Sequence, residues 1–194
     1  MYNSSPEGIP LKKSAFTMLE LVFVIVVVGI LAAAIIPRAD RDTLYEATEQ
    51  LQSHIKYTQH LALMDDVYDH TDDEWYKKRW RITFDDGEDW YAVSKGVIAD
   101  NIYAKDPLKR QDIDGDTNKE YDLDDKYSVT FSLPEDENVL AFDNLGRPYL
   151  FTGDQGAPTE ELLTEDFNIT LDDGTDTATI TVTPETGYTR ITFD

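Results

Sequence analysis

The densest run of side chains able to do chemistry is Asp112, Asp114, Asp116, Asn118 and Glu120, oxygen-bearing groups at every second position around Gly115, with Asp122, Asp124 and Asp125 following. Alternating carboxylates about a glycine can wrap a hard cation in oxygen ligands, which makes this run a candidate calcium site. The spacing differs from an EF-hand. With Asp112 at the first position, Gly115 falls at the fourth instead of the sixth and Leu123 takes the place of the bidentate acid. The competing reading is a self-repelling hydrophilic loop that holds no ion.

The histidines offer less. His54 and His60 are six residues apart, which on a helix turns them about 240° from one another, so they cannot share a metal there. His70 stands alone among acids and reads as a solvated side chain. No GxSxG, HExxH, P-loop or dinucleotide GxGxxG pattern occurs, and acids are so numerous that no pair can be singled out as an acid/base dyad. An enzyme is not expected, and no cofactor is required beyond the possible calcium.

Composition narrows the classes further. The 194 residues hold 39 Asp and Glu against 17 Lys and Arg, a formal net charge of −22. A polyanion lacks the clustered cations that drive binding to DNA or RNA, so nucleic acid is not an expected partner. There is no cysteine, which excludes disulfides and thiol chemistry. The charge is unevenly spread, since every acid except Glu7 and Glu20 lies beyond residue 36.

Residues 16–36 are apolar except for Thr17 and Glu20. As a helix they would be about 31 Å long, enough to cross a bilayer core. Lys12 and Lys13 lie just before them and mark the cytoplasmic flank. A plain membrane anchor is one reading, and a secretory signal peptide cut after Ala32, Ala33 and Ala34 is another. Glu20 argues against both, because a carboxyl group inside the hydrocarbon costs a few kcal/mol and ought to have a partner.

Lys12, Lys13, Ser14 and Ala15, then Phe16, Thr17, Met18, Leu19 and Glu20, then an unbroken apolar run, resemble the type III signal of type IV prepilins and type II secretion pseudopilins. The resemblance implies a leader of residues 1–15, cleavage by a prepilin peptidase between Ala15 and Phe16, N-methylation of Phe16 and an assembly role for Glu20. The family usually has Gly where this chain has Ala15. Gly29 and Pro37 are costly inside a helix, so the stretch between them can loosen, or Pro37 can simply end the membrane helix. Behaviour in filaments of the family favours the first.

The elements that must carry these residues follow from periodicity. Leu44, Ala47, Leu51, Ile55, Thr58 and Ala62 recur at helical steps between charged residues, which predicts a single helix over about 16–64, with residues 16–36 as its transmembrane half and 37–65 as its amphipathic half. Residues 66–194 are expected to form an acidic, β-rich head, which the resemblance implies is periplasmic. Period-two patterns predict eight strands, at 81–84, 90–93, 127–131, 139–142, 149–151, 167–171, 178–182 and 188–193, the last three as an antiparallel meander. The fold class is α+β, pilin-like, with the long helix set against an antiparallel β-sheet or β-sandwich.

The turn running from Phe142 through Leu145 and Gly146 to Pro148, and the later stretch from Ile180 through Gly187 to Ile191, are similar to the C-terminal half of GspH/FimT-like minor pseudopilins and pilins. That likeness implies an H-like minor subunit of a type II secretion pseudopilus. Its partners would be a prepilin peptidase, other pseudopilins through the helix, and an inner-membrane assembly platform. The N-terminus would be cytoplasmic, the protein single-pass in a bacterial inner membrane. A minor pilin of a type IV pilus or DNA-uptake pseudopilus is the alternative, and a membrane-anchored periplasmic binding module belongs to a different class.

Overall fold

The computed structural model describes residues 17–96, 101–134, 138–152 and 159–194, with the side chains of 33–42 and 152–160 outside that description. The chain divides into two compact units, one ending at Ala39 and the other running Asp40–Asp194. Helix α1, Met18–Met64, contributes residues to both.

In the first unit, Thr17 starts the helix. Its carbonyl accepts the N–H groups of Glu20 and Leu21, and its hydroxyl accepts Glu20 N–H at 3.3 Å, which satisfies donors that a helix start leaves unpaired. Every side chain of residues 17–32 is exposed in the isolated chain. Apolar surface on that scale calls for lipid or another protein to cover it.

In the second unit, the helical stripe predicted from periodicity is the buried face of α1: Leu44, Ala47, Leu51, Ile55, Thr58 and Ala62 are all buried. Thr48 and Thr58 belong to it because their hydroxyls bond Leu44 O and His54 O one turn back, so no polar group is stranded. Each fully buried Leu or Ile contributes about 1.5–3 kcal/mol. The acids beyond the helix form turns, with the Asp69 and Asp72 carboxylates accepting backbone N–H groups two residues on.

Two antiparallel sheets follow. Strands β1 (Arg81–Asp85), β2 (Trp90–Lys95), β3 (Ile102–Tyr103), β5 (Val139–Phe142), β6 (Pro148–Thr152) and β7 (Thr159–Leu162) form a six-stranded sheet in the order β3-β2-β1-β5-β6-β7. Strands β4 (Thr130–Ser132), β8 (Phe167–Asp172), β9 (Thr177–Val182) and β10 (Thr189–Phe193) form the second, in the order β10-β9-β8-β4. The sheets share one core, where the Phe84 ring lies 5.9 Å from Phe131 and 6.4 Å from Phe167. The predicted meander is β8-β9-β10, in register Ile169↔Ile180 and Ile180↔Ile191.

Several expectations need correction. Strands β3 and β7 went unread. β3 pairs over two residues only, and β7 is the acidic sequence Thr-Glu-Glu-Leu, which carries little strand propensity. The strand expected at 127–131 begins at Thr130 because Tyr127 closes a short helix, α2 (Leu123–Tyr127). Asp122 caps that helix at its start and Ser128, in the left-handed region at φ 56°, caps its end. Gly29 and Pro37 both lie within α1, so Pro37 does not end the helix.

Both edges of the four-stranded sheet receive contacts from outside it. Along β10, α1 presents a residue every seventh position: the Tyr45 ring stacks on Phe193 at 5.7 Å, Gln52 Nε2 donates to Thr189 O, and Gln59 Nε2 donates to Thr186 O. On β4, Phe131 N–H donates to the Asp89 carboxylate at 2.8 Å. Both contacts occupy part of an edge that could otherwise pair with another chain.

Candidate functional site

The expected processing site, Ala15 and Phe16 with the leader of residues 1–15, lies outside the described residues, as does the Pro37 side chain. Glu20 is exposed in the first turn of α1, where a carboxylate favours the positive end of the helix dipole. An added Cβ at Gly29 would meet nothing within 4 Å, so packing inside this chain does not require glycine there. Among the described residues no helix is long and apolar enough to cross a membrane. The described side chains of the apolar run span residues 17–32, about 24 Å of helix.

The candidate calcium ligands are not brought together. Asp112 pairs with Lys105 Nζ at 2.6 Å, and Glu120 pairs with Lys109 and with Lys126 Nζ. Those two lysines hold the Glu120 carboxyl below its usual range. Asn118 spends its carbonyl oxygen on Glu120 N–H and its amide on Gln111. Asp116 is exposed, whereas Asp114 is buried, with one oxygen accepting from Thr117 and the other unbonded. Among the described residues no group of three or more His, Asp or Glu could hold a metal ion. The segment meets β2 at two isolated bridges, Ala92↔Asp114 and Trp90↔Asp122. Gly115 serves that approach: a Cβ there would sit 2.8 Å from both Tyr91 O and Tyr121 O.

A buried polar network that sequence reasoning missed surrounds His54. Its Nδ1 lies 2.7 Å from Tyr91 Oη, and its Nε2 lies 3.6 Å from Asp106 Oδ2, which also accepts the Tyr121 hydroxyl at 3.1 Å. Burial pulls the imidazole down to about 4 against the attraction of Asp106, with Lys109 and Lys126 adding to the fall. Burial would raise Asp106, but N–H donors from Lys109 and Leu108 and the Tyr121 hydroxyl outweigh it and leave the carboxyl below its usual range. Gln50 fastens the same region, donating to Tyr91 Oη and Glu120 O while accepting from Lys126 and Tyr127. A helical histidine with no sequence neighbour to mark it gives no warning of this. His60 and His70 are exposed, in keeping with the geometric argument that His54 and His60 face different ways.

A family model for the prokaryotic N-terminal methylation motif matches residues 10–36. The match supports the type IV pilin and pseudopilin class. The motif takes in Lys12, Lys13, Ala15, Phe16, Glu20 and Gly29. A prepilin-type motif implies processing by a prepilin peptidase and assembly with other pilins, and it is typical of membrane-anchored pilins. A long N-terminal helix followed by antiparallel sheets is consistent with a pilin-like fold. No curated protein and no solved structure matches the chain.

Proposed function

We propose that the protein is a minor, H-like pseudopilin of a type II secretion system, a structural subunit and not an enzyme. The observation that carries this reading is the methylation motif over residues 10–36 at the start of a 47-residue helix whose far half is built into an antiparallel head. In this reading residues 16–36 cross the inner membrane, the N-terminus is cytoplasmic and the head is periplasmic. The peptidase cuts between Ala15 and Phe16, Phe16 is methylated, and the helix joins those of other pseudopilins. The exposed apolar side chains of residues 17–32 support it, since lipid before assembly and neighbouring helices afterwards would cover them.

Intact mass of the membrane-extracted protein tests the processing. The expected species starts at Phe16 and carries one methyl group. A mature N-terminus at Ile35 would establish an ordinary signal peptide instead, and an uncut chain would leave a plain anchor. Crosslinking α1 to a second subunit in cells separates an assembling pilin from a solitary anchored module.

A further inference from the structure

Beyond β3, Asp106, Pro107, Leu108, Lys109 and Arg110 form a turn fixed at both ends. Asp106 N–H donates to Gln111 O and Arg110 N–H donates to Asp106 O, each at 2.8 Å. The Asp106 carboxylate accepts Leu108 N–H at 2.7 Å and Lys109 N–H at 3.0 Å, and it accepts the Tyr121 hydroxyl at 3.1 Å. Asp106 and Tyr121 are both buried, so the tip stands on a root set in the core.

The tip holds out two side chains that nothing in the head engages. Leu108 is 92% exposed, the highest value for a large apolar side chain among the described residues. Arg110 closes the turn at φ 58°, in the left-handed region that a Cβ disfavours, so this side chain is present against the preference of its backbone. Lys105 and Lys109 are drawn back onto Asp112 and Glu120. The Arg110 guanidinium is exposed and pairs with no carboxylate among the described residues. A lone exposed leucine is ordinary. An exposed leucine beside an unmatched arginine on a pre-organised turn suits a partner with an apolar floor and an acidic rim.

The head carries a hollow of that kind. A cavity of about 330 Å³ is lined by Leu44 and Tyr45 of α1, Asp176 and Thr177 at the start of β9, and Phe193 and Asp194 at the end of β10. The stacked rings of Tyr45 and Phe193 are about half exposed there, and both charged residues of the lining are acids. A head does not fill its own cavity. The loop that bears the tip is tied to α1 at Tyr57, whose hydroxyl donates to Lys105 O, whereas the cavity adjoins Tyr45. Twelve residues of helix separate these two points by about 18 Å along the axis and about 120° around it.

We propose that the tip and the cavity are the two halves of a contact between copies of this chain: Leu108 of one head enters the cavity of another, against Tyr45 and Phe193, while Arg110 meets the acids Asp176 and Asp194. Two different patches are used, so the contact is heterologous and repeats in one direction instead of closing a two-fold dimer. At a net charge of −22 the heads repel one another, and the basic tip supplies the local attraction that selects this orientation. The contact lies wholly within the head. Its failure would leave the reading of residues 10–36 untouched, and failure of that reading would leave the contact standing.

The chain has no cysteine, so introduced thiols report unambiguously. Leu108→Cys and Thr177→Cys are made in separate full chains, mixed in detergent at low micromolar concentration and moderate salt, and treated with a short bis-maleimide. In the control the second chain carries Ser132→Cys instead, an exposed position on β4 at the opposite edge of the sheet from β10. The expected yield of the Leu108→Cys with Thr177→Cys product is at least fivefold above the control and above either chain alone. Arg110→Glu in the first chain should lower that yield several-fold, and Asp194→Arg in the second should restore it. Equal yields with Thr177→Cys and Ser132→Cys, or a yield indifferent to Arg110→Glu, overturn the contact and leave the cavity to another occupant. If Thr177→Cys fails to fold, sedimentation decides: self-association of the native chain that Leu108→Asp abolishes supports the contact, and self-association unchanged by Leu108→Asp, or none at all, overturns it.

Discussion

Gln59 donates its side-chain amide to Gly146 O at 2.8 Å, and the same nitrogen donates to Thr186 O at 2.9 Å. One side chain near the end of α1 thereby ties together two turns from different sheets, the β5–β6 turn and the β9–β10 turn. The tie explains two glycines. Gly146 and Gly187 both have positive φ, +80° and +61°, and both lie against Gln59. A conformation rare for other residues is combined there with a close approach.

These glycines give a graded stability test. Gly174 also has positive φ, +85°, but an added Cβ there meets nothing within 4 Å, so Gly174→Ala reports backbone strain alone, about 1 kcal/mol. Gly146→Ala adds contacts of 3.2 Å with Gln59 and 3.4 Å with Leu63 and should cost more. Gly187→Ala puts a Cβ 2.9 Å from Gly146 O and 3.0 Å from Phe142, and should cost the most, about 2–4 kcal/mol. Urea melts of the three variants should fall in that order.

Stability should decline in mild acid before the carboxylates titrate. His54 is lowered from 6.5 to about 4, so between those values the unfolded chain binds more protons than the folded one. Its contribution is complete above pH 6.5 and is lost as pH falls towards 4, up to about 3 kcal/mol. Asp106 and Asp143 are held below their usual range; their contributions persist above about pH 4 and are lost below it. His54→Gln should flatten the stability curve between pH 6.5 and 4 and leave the steeper fall below pH 4 intact. A wild-type curve already flat from pH 7 to 4.5 would contradict the assigned environment of His54.

Calcium at millimolar concentration should not raise the melting temperature. A ligand bound only by the folded state at a hundred times its Kd would stabilise by about 2.7 kcal/mol. Here Asp112 and Glu120 are engaged by lysines and Asp116 faces solvent. Gly115→Ala should nevertheless destabilise strongly with or without calcium, because its Cβ would meet backbone oxygens of Tyr91 and Tyr121 at 2.8 Å. A melting temperature that rises with calcium and loses the rise in Asp114→Asn would restore the ion.

How legible these features were depended on how local their causes are. The α1 stripe from Leu44 to Ala62 could be read because helical period and burial coincide, and Ile169, Ile180 and Ile191 could be read because alternation marks one sheet face. Gly115 was ambiguous: alternating acids suggest a cage, whereas its close contacts with β2, more than twenty residues earlier, could not be read from its neighbours in sequence. His54 and Gln59 were silent for the same reason, their partners lying at Asp106, Gly146 and Thr186. β7 was hidden because neighbours in a sheet can impose a strand on Glu-rich sequence.

Glu20 carries the sharpest functional expectation. It stands in the first turn of α1 and is exposed in the isolated chain, four residues after the expected mature N-terminus at Phe16. A lone carboxylate within a bilayer is costly. In the proposed reading, cleavage before Phe16 would create an amino group, and in an assembled filament the acid of one subunit would meet the N-terminus of the next. A charge-assisted contact in low dielectric offsets the burial penalty and fixes the axial offset between helices. Glu20→Leu should therefore insert at least as well as the native chain and still be cut, since the peptidase reads the boundary from Lys12 to Phe16, yet it should crosslink to neighbouring subunits several-fold less. Glu20→Gln, which keeps the shape and can still accept a hydrogen bond, should fall between the two. Intact mass reports cleavage and crosslinking yield reports assembly in the same cells, so a chain that is cut but not incorporated is distinguishable from one that never reached the membrane. Undiminished crosslinking of cleaved Glu20→Leu would show that the acid has no part in assembly.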